Sequence, residues 1–136
     1  MWPKNFRKCV IASVYQNLFW DSFNGSEYIP DWTVLINEIK NEDIEFTESD
    51  LIKVYNIYLS NKEIYIDQII KHINKWDKTF DIIKACLIVF LLESNLNEDK
   101  EAKLVGHYIK FAQDFAGGEN PALVHAVISK MIEESA

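Results

Sequence analysis

From Asp81 to Glu93 the chain reads Asp-Ile-Ile-Lys-Ala-Cys-Leu-Ile-Val-Phe-Leu-Leu-Glu, and it is apolar without interruption from Ala85 to Leu92. A helix of this composition is hydrophobic on every face, so it belongs at the centre of a fold with other helices around it. The apolar run is also far shorter than the about 20 residues that a membrane-crossing helix needs. The stretch therefore predicts the central helix of a soluble all-helical domain.

The size and composition of the chain predict one domain over residues 1–136. Its 136 residues are 49% hydrophobic and 13% aromatic, which is enough to bury a core and excludes a disordered chain. The two cysteines, Cys9 and Cys86, each lie in an apolar segment, so we expect buried free thiols in a reducing compartment. The polar, basic start from Met1 to Cys9 does not fit a signal peptide. We expect a cytoplasmic protein that does not enter a membrane.

Charge is distributed unevenly along the sequence. The net charge of −7 argues against a general nucleic-acid-coating protein, because attraction to phosphate requires exposed basic residues. The first ten residues are nevertheless purely basic, with Lys4, Arg7 and Lys8, whereas Glu38 to Asp50 holds six acids and one lysine. Any anion-binding site is therefore expected to be local and N-terminal.

The first amphipathic pattern runs from Asn5 to Trp20, directly after Pro3. Its residues recur at the i, i+3, i+4, i+7 spacing of a helix that is buried on one side. The face expected to be buried contains Phe6, Cys9, Val10, Ser13, Val14, Asn17 and Leu18, with Ile11 and Tyr15 beside it.

Capping signals mark the boundaries of several other helices. Thr47-Glu-Ser-Asp50 resembles a capping box with Asp in the place of Glu, and Ser60-Asn-Lys-Glu63 matches the box more closely. Gly117-Gly118 is a helix-ending signal, and Asn120-Pro121 then opens a further helix. Asp31 and Asn97 are expected to cap the helices that follow them.

These patterns predict an all-α fold of about seven helices without a strand. The helices are expected at about 5–20, 32–40, 47–59, 60–76, 81–93, 98–115 and 120–133. The helix that begins at Ser60 is expected to bury Ile66, Ile69, Ile70 and Ile73.

Three stretches resemble the NusB family of transcription antitermination factors in their residues and in their order along the chain. Val105 to Phe115, the Gly-Gly turn and Leu123 to Lys130 are similar to the closing helix pair of that family. Arg7 to Gln16, which reads Arg-Lys-Cys-Val-Ile-Ala-Ser-Val-Tyr-Gln, resembles the family's first helix. Trp76, followed by an apolar helix that ends in Leu92-Glu93, is similar to the segment between them.

The resemblance implies a NusB-like fold of two small packed helical bundles and a role without enzymatic activity. Members of the family bind the boxA element of ribosomal RNA leaders jointly with NusE, a protein of the small ribosomal subunit. The pair supports an elongating RNA polymerase complex that resists termination. For this chain the resemblance implies weak binding to boxA-type single-stranded RNA alone, with NusE as the protein partner.

The resemblance also nominates the residues that contact RNA. Arg7 and Tyr15 stand at matching positions of the first helix, Phe115 and Glu119 stand around the turn before the last helix, and Lys4 and Lys8 lie in the same basic segment. Arginine and lysine bind phosphates, and a tyrosine can stack on an unpaired base. We expect Arg7→Ala to weaken RNA binding with little loss of stability.

Two other functions remain open. A helical protein–protein adaptor that has lost RNA binding is favoured by the net charge and by the scarcity of arginine, since Arg7 is the only one. NusB-like domains also precede RNA-cytosine methyltransferase domains, and here such an enzyme would have to be a separate chain. Tyr15 can equally be a core tyrosine. We expect no metal site or cofactor, because His72, His107 and His125 are far apart in the sequence.

Overall fold

The computed structural model describes residues 2–24, 30–32, 46–97 and 102–135. Over these residues the chain is helical and contains no β-strand, which confirms the all-α fold class. The elements are α1 (Lys4–Asn24), α2 (Glu48–Ile70), a 3₁₀ helix (Trp76–Lys78), α3 (Asp81–Asn97), α4 (Ala102–Phe115) and α5 (Asn120–Ser135). The helix expected from Trp32 to Lys40 lies outside the described residues after its first position.

Contacts between residues divide the chain into two compact units, Trp2–Asn61 and Lys62–Ala136. The division falls inside α2. The first unit therefore holds α1 and the first part of α2, and the second holds the rest of α2 with α3, α4 and α5. The expectation of a single domain over residues 1–136 stays a prediction.

In the second unit α3 is buried on all of its faces. Every side chain from Ala85 to Ser94 is removed from solvent, as is that of Ile83. The helix packs against α4 and α5, and these two helices also pack against each other. The apolar run thus occupies the buried position that its composition predicts.

The apolar part of α3 ends in a buried carboxylate. Glu93 is fully shielded from solvent, and the hydroxyl of Tyr108 in α4 donates a hydrogen bond to its Oε1 atom at 2.7 Å. The same hydroxyl lies 3.2 Å from the Val89 carbonyl oxygen, and the Tyr108 ring meets Phe90 edge-on at 5.5 Å. A buried charge is costly unless it is hydrogen-bonded, so Tyr108 both fills the interface and satisfies the carboxylate.

Removing this hydroxyl should destabilise the protein measurably. Tyr108→Phe keeps the ring but leaves the buried Glu93 carboxylate short of a donor, so we expect a loss of about 2 kcal/mol in the free energy of unfolding. Urea denaturation followed by circular dichroism measures the loss. In a Glu93→Gln background the same substitution should cost less, because the acceptor is then uncharged. Equal costs in both backgrounds would contradict this account.

Of the two capping boxes predicted from the sequence, the structure contains the first but not the second. At the start of α2 the Thr47 amide donates to Asp50 Oδ2 at 2.9 Å and the Asp50 amide donates to Thr47 Oγ1 at 3.3 Å, which confirms that box. The prediction of a new helix at Ser60 is wrong, because α2 is continuous from Glu48 to Ile70. Ser60 Oγ and Asn61 Nδ2 instead donate to the carbonyl oxygens four residues earlier, at 3.1 and 2.8 Å.

The Thr47–Asp50 box yields a prediction about stability and pH. Thr47→Ala should cost about 1 kcal/mol of unfolding free energy. The control Ser49→Ala, which changes an exposed neighbour, should cost much less. The amide and side chain of Thr47 hold the pKa of Asp50 below its ordinary value. The stabilisation by this carboxylate is therefore present above the ordinary carboxyl pKa of about 4 and is lost as the pH falls through the lowered value. Chemical denaturation from pH 7 to pH 2 should show that Thr47→Ala lacks part of the acid sensitivity; an unchanged profile would argue against the box as its source.

Other boundaries differ from the sequence prediction by a few residues. The helix that was expected to reach Trp76 ends at Ile70, and Trp76 begins the 3₁₀ helix. Ile69 and Ile73 are buried as expected, but Ile70 is exposed. Asn97 is the last residue of α3 rather than a cap before α4.

The end of α4 and the start of α5 lie where the sequence predicts them. Gly117 and Gly118 adopt positive φ angles of 64° and 61°, and the Gly117 amide donates to the Ala112 carbonyl oxygen at 3.0 Å. Residues with side chains rarely adopt this conformation, so the glycine pair stops α4. The Asn120 side chain then donates to the Gly117 carbonyl oxygen at 2.9 Å as α5 begins.

Candidate nucleic-acid interface

One side of α1 is fixed against the first unit. The buried residues of this helix are Asn5, Phe6, Arg7, Cys9, Val10, Ile11, Ser13, Val14 and Asn17. The buried Asn17 side chain accepts a hydrogen bond of 2.6 Å from the hydroxyl of Tyr58 in α2. Ser13 is satisfied locally, because its hydroxyl donates to the Val10 carbonyl oxygen at 2.8 Å. These contacts determine which residues of α1 remain at the surface.

Four partly or fully exposed residues of α1 line up along the helix, although Ile11, which shares this side by helical spacing, is fully buried. Lys4 is exposed, Lys8 and Tyr15 are half-buried, and Phe19 is 37% exposed. Because a helix turns about 100° per residue, Lys4, Lys8, Tyr15 and Phe19 fall within about 60° of its circumference and span about 22 Å of its length. We call these four residues the α1 stripe. It brings together three of the six nominated RNA contacts.

The α1 stripe lies in the longest acid-free stretch of an acidic sequence. The first twenty residues contain Lys4, Arg7 and Lys8 but no Asp or Glu, although the whole chain carries a net charge of −7. The first acidic residue is Asp21, which is exposed at the far end of α1. A negatively charged ligand at the N-terminal part of this helix therefore meets Lys4 and Lys8 with no neighbouring acid along the sequence.

A third exposed aromatic residue, Trp20, lies beside the stripe, about 100° around the helix from Phe19. The Tyr15 and Phe19 rings are nearly parallel, with centroids 6.4 Å apart and an angle of 29° between their planes. The Trp20 ring meets Phe19 edge-on at 6.1 Å and is 42% exposed. We call Tyr15, Phe19 and Trp20 the aromatic row. Phe19 and Trp20 are not among the residues nominated from the sequence, although the i, i+4 spacing of Phe19 from Tyr15 indicates their shared face.

Arg7 is not part of this surface. Its side chain is only 4% exposed, and its Nη2 atom donates to the Trp2 carbonyl oxygen at 3.2 Å. Helical spacing places Arg7 on the side of Val10, Ile11 and Val14, all of which are buried. The arginine that the resemblance nominates for RNA is therefore held within the first unit.

The burial of Arg7 changes what its substitution should do. Arg7→Ala removes a buried stem and a donor, so we expect a loss of about 2 kcal/mol in unfolding free energy. The control Lys4→Ala removes an exposed cation three residues earlier and should stay within about 0.5 kcal/mol of the unaltered protein. Urea denaturation of both variants measures the difference. Similar stabilities for the two variants would contradict a structural role for Arg7.

Phe115 and Glu119 lie in the second unit, at the turn between α4 and α5. Phe115 is 58% exposed, and its ring stacks on Phe111 with centroids 4.5 Å apart. Glu119 is exposed directly after Gly118. These two nominated residues are accessible to a ligand, but they belong to a different unit from the α1 stripe.

Among the residues that the structure describes, the cysteines and the potential metal ligands can be considered in turn. Cys9 and Cys86 are buried and form no disulfide, as predicted, and burial raises the pKa of Cys9 to about 11 and also raises that of Cys86. Such thiols remain protonated and unreactive at neutral pH. Within the described ranges, no group of three or more His, Cys, Asp or Glu side chains is arranged to hold a metal ion.

Two further searches add to this description. None of the helices in the described part of the chain is long and apolar enough to cross a membrane. Comparisons with protein-family models, with curated proteins and with solved structures find no match to this chain. The resemblance to NusB therefore depends on the sequence stretches themselves.

Proposed function

We propose that this protein is a NusB-like transcription antitermination factor that binds boxA-type single-stranded RNA together with a NusE-type ribosomal protein. The observation that carries the proposal is the α1 stripe: two accessible lysines and Tyr15 share one face of the helix that the resemblance assigns to RNA. The proposed setting is cytoplasmic, and contact with the elongating RNA polymerase complex is indirect. The proposal includes no enzymatic activity and no cofactor.

The side chains of the α1 stripe are of the types that bind single-stranded RNA. The ammonium groups of Lys4 and Lys8 act as point charges toward phosphates, and Tyr15 offers a ring on which an unpaired base can stack. Two phosphate contacts give weak binding and a shallow dependence on salt. A partner that holds the same RNA raises its effective concentration at the stripe, so joint binding is stronger than either contact alone.

A protein-only adaptor is the second candidate, and the burial of Arg7 favours it. The only arginine of the chain is used inside the first unit, which leaves two lysines as the cations of the stripe. An adaptor of this kind would keep the binding of a NusE-type partner and would show no RNA affinity.

A fluorescence-anisotropy titration with labelled boxA-type RNA separates the two candidates. It is performed with and without the NusE-type protein, at about 50 and 200 mM salt. We expect partner-enhanced binding that the double variant Lys4→Ala/Lys8→Ala weakens. Because each contact to a single strand contributes about 0.7 to the slope of log affinity against log salt, the variant should lose about 1.4 of that slope.

The matched control is Lys75→Ala/Lys78→Ala, which removes two exposed lysines around the 3₁₀ helix and changes the net charge equally. It should leave the affinity and the slope nearly unchanged. Equal losses in the two double variants would show a general charge effect rather than a site. Partner binding without any RNA binding would favour the adaptor.

A further inference from the structure

We infer that Phe19 and Trp20 extend the RNA site, so that the aromatic row of α1 is a stacking platform for successive unpaired bases. This inference rests on the proposed function and names two contacts that the NusB resemblance does not nominate. It also places phosphates of the bound strand beside the lysines and unpaired bases against the rings.

The exposure of the two rings is the first argument. Phe19 and Trp20 leave 37% and 42% of their surface in solvent on adjacent positions of one helix. Large aromatic groups exposed side by side mark a binding surface more often than a single exposed ring does. Tyr15, which is half-buried, joins them into a continuous row through its near-parallel contact with Phe19.

The charge along the helix is the second argument, and it identifies the occupant. Lys8 lies seven residues before Tyr15, about 10 Å along the axis. Between them the same face holds Ile11, which is fully buried, and no acid. Lysines in line with the rings favour an anionic occupant, and a nucleic acid strand presents phosphates and ring faces together.

The geometry of the row predicts broad base recognition. Stacking needs only a π face, which every base has, so it adds affinity with little dependence on base identity. The Phe19 and Trp20 rings meet edge-on, with an angle of 83° between their planes, so they do not form one flat surface. The row therefore supplies affinity, and any sequence preference comes from other contacts.

The test compares two double variants in the same RNA titration. Phe19→Leu/Trp20→Leu keeps apolar side chains but removes both π systems, and we expect a loss of RNA affinity of about 5- to 30-fold. The conservative variant Phe19→Tyr/Trp20→Phe should retain most of the affinity. Phe80→Leu is the matched control, because it removes an aromatic ring that is 64% exposed elsewhere in the chain; it should have no effect.

Tryptophan fluorescence provides a second readout. Stacking of a base on Trp20 should quench part of the emission during the RNA titration, and Trp20→Phe should abolish that part while the other tryptophans remain. Circular dichroism melting of each variant verifies that its fold is intact. RNA binding that depends on Lys4 and Lys8 but is unchanged in Phe19→Leu/Trp20→Leu would overturn this inference and leave the proposed function in place.

Two other outcomes are also decisive. If the leucine double variant binds RNA normally but loses the NusE-type protein, the aromatic row is a protein contact and the inference is wrong. If the unaltered chain binds no RNA with or without the partner, both the proposed function and this inference fail.

Discussion

Every side chain from Ala85 to Ser94 is withdrawn from water, so α3 has no face left for solvent and must be covered on all sides. Helix α4 supplies part of the cover over α3. Its buried residues Leu104, Tyr108 and Ala112 recur every fourth position and form a single apolar stripe. Glu93 is the one charge in the buried stretch. Because an unpaired carboxylate there would be costly, its bond with Tyr108 couples the position of α4 to that of α3.

The all-helical class and most helix positions could be predicted because they depend on local signals. The apolar run of α3, the glycine pair after α4 and the Thr47–Asp50 box each act within a few residues of chain. The Ser60–Glu63 box shows the limit of this reasoning. A capping box requires a cap residue with a non-helical backbone, and the residue types alone do not specify that conformation. Ser60 and Asn61 find acceptors in the preceding turn instead, so the same residue types are accommodated inside a continuous helix.

The candidate site was predictable in part for a related reason. The basic segment and Tyr15 are evident from the sequence, but a count of cations does not say which of them reach solvent. The helical period contains part of the answer, since it places Arg7 with Val10, Ile11 and Val14 and places Lys8 in line with Tyr15 and Phe19. The exposure of Phe19 and Trp20 was beyond such reasoning, because it depends on which other segments cover the end of α1.

An acidic chain with a local basic stripe has a specific electrostatic consequence. At physiological ionic strength, charges more than about 8 Å apart are largely screened, so a phosphate in contact with Lys4 or Lys8 is affected mainly by those lysines. The net charge of −7 acts over longer distances and opposes the approach of RNA most strongly at low salt. Added salt therefore weakens the attraction between the lysines and phosphate. It also reduces the repulsion between RNA and the net negative charge of the chain. A basic partner protein that holds the RNA would overcome the repulsion without altering the stripe, which is a physical reason for the joint binding that we propose.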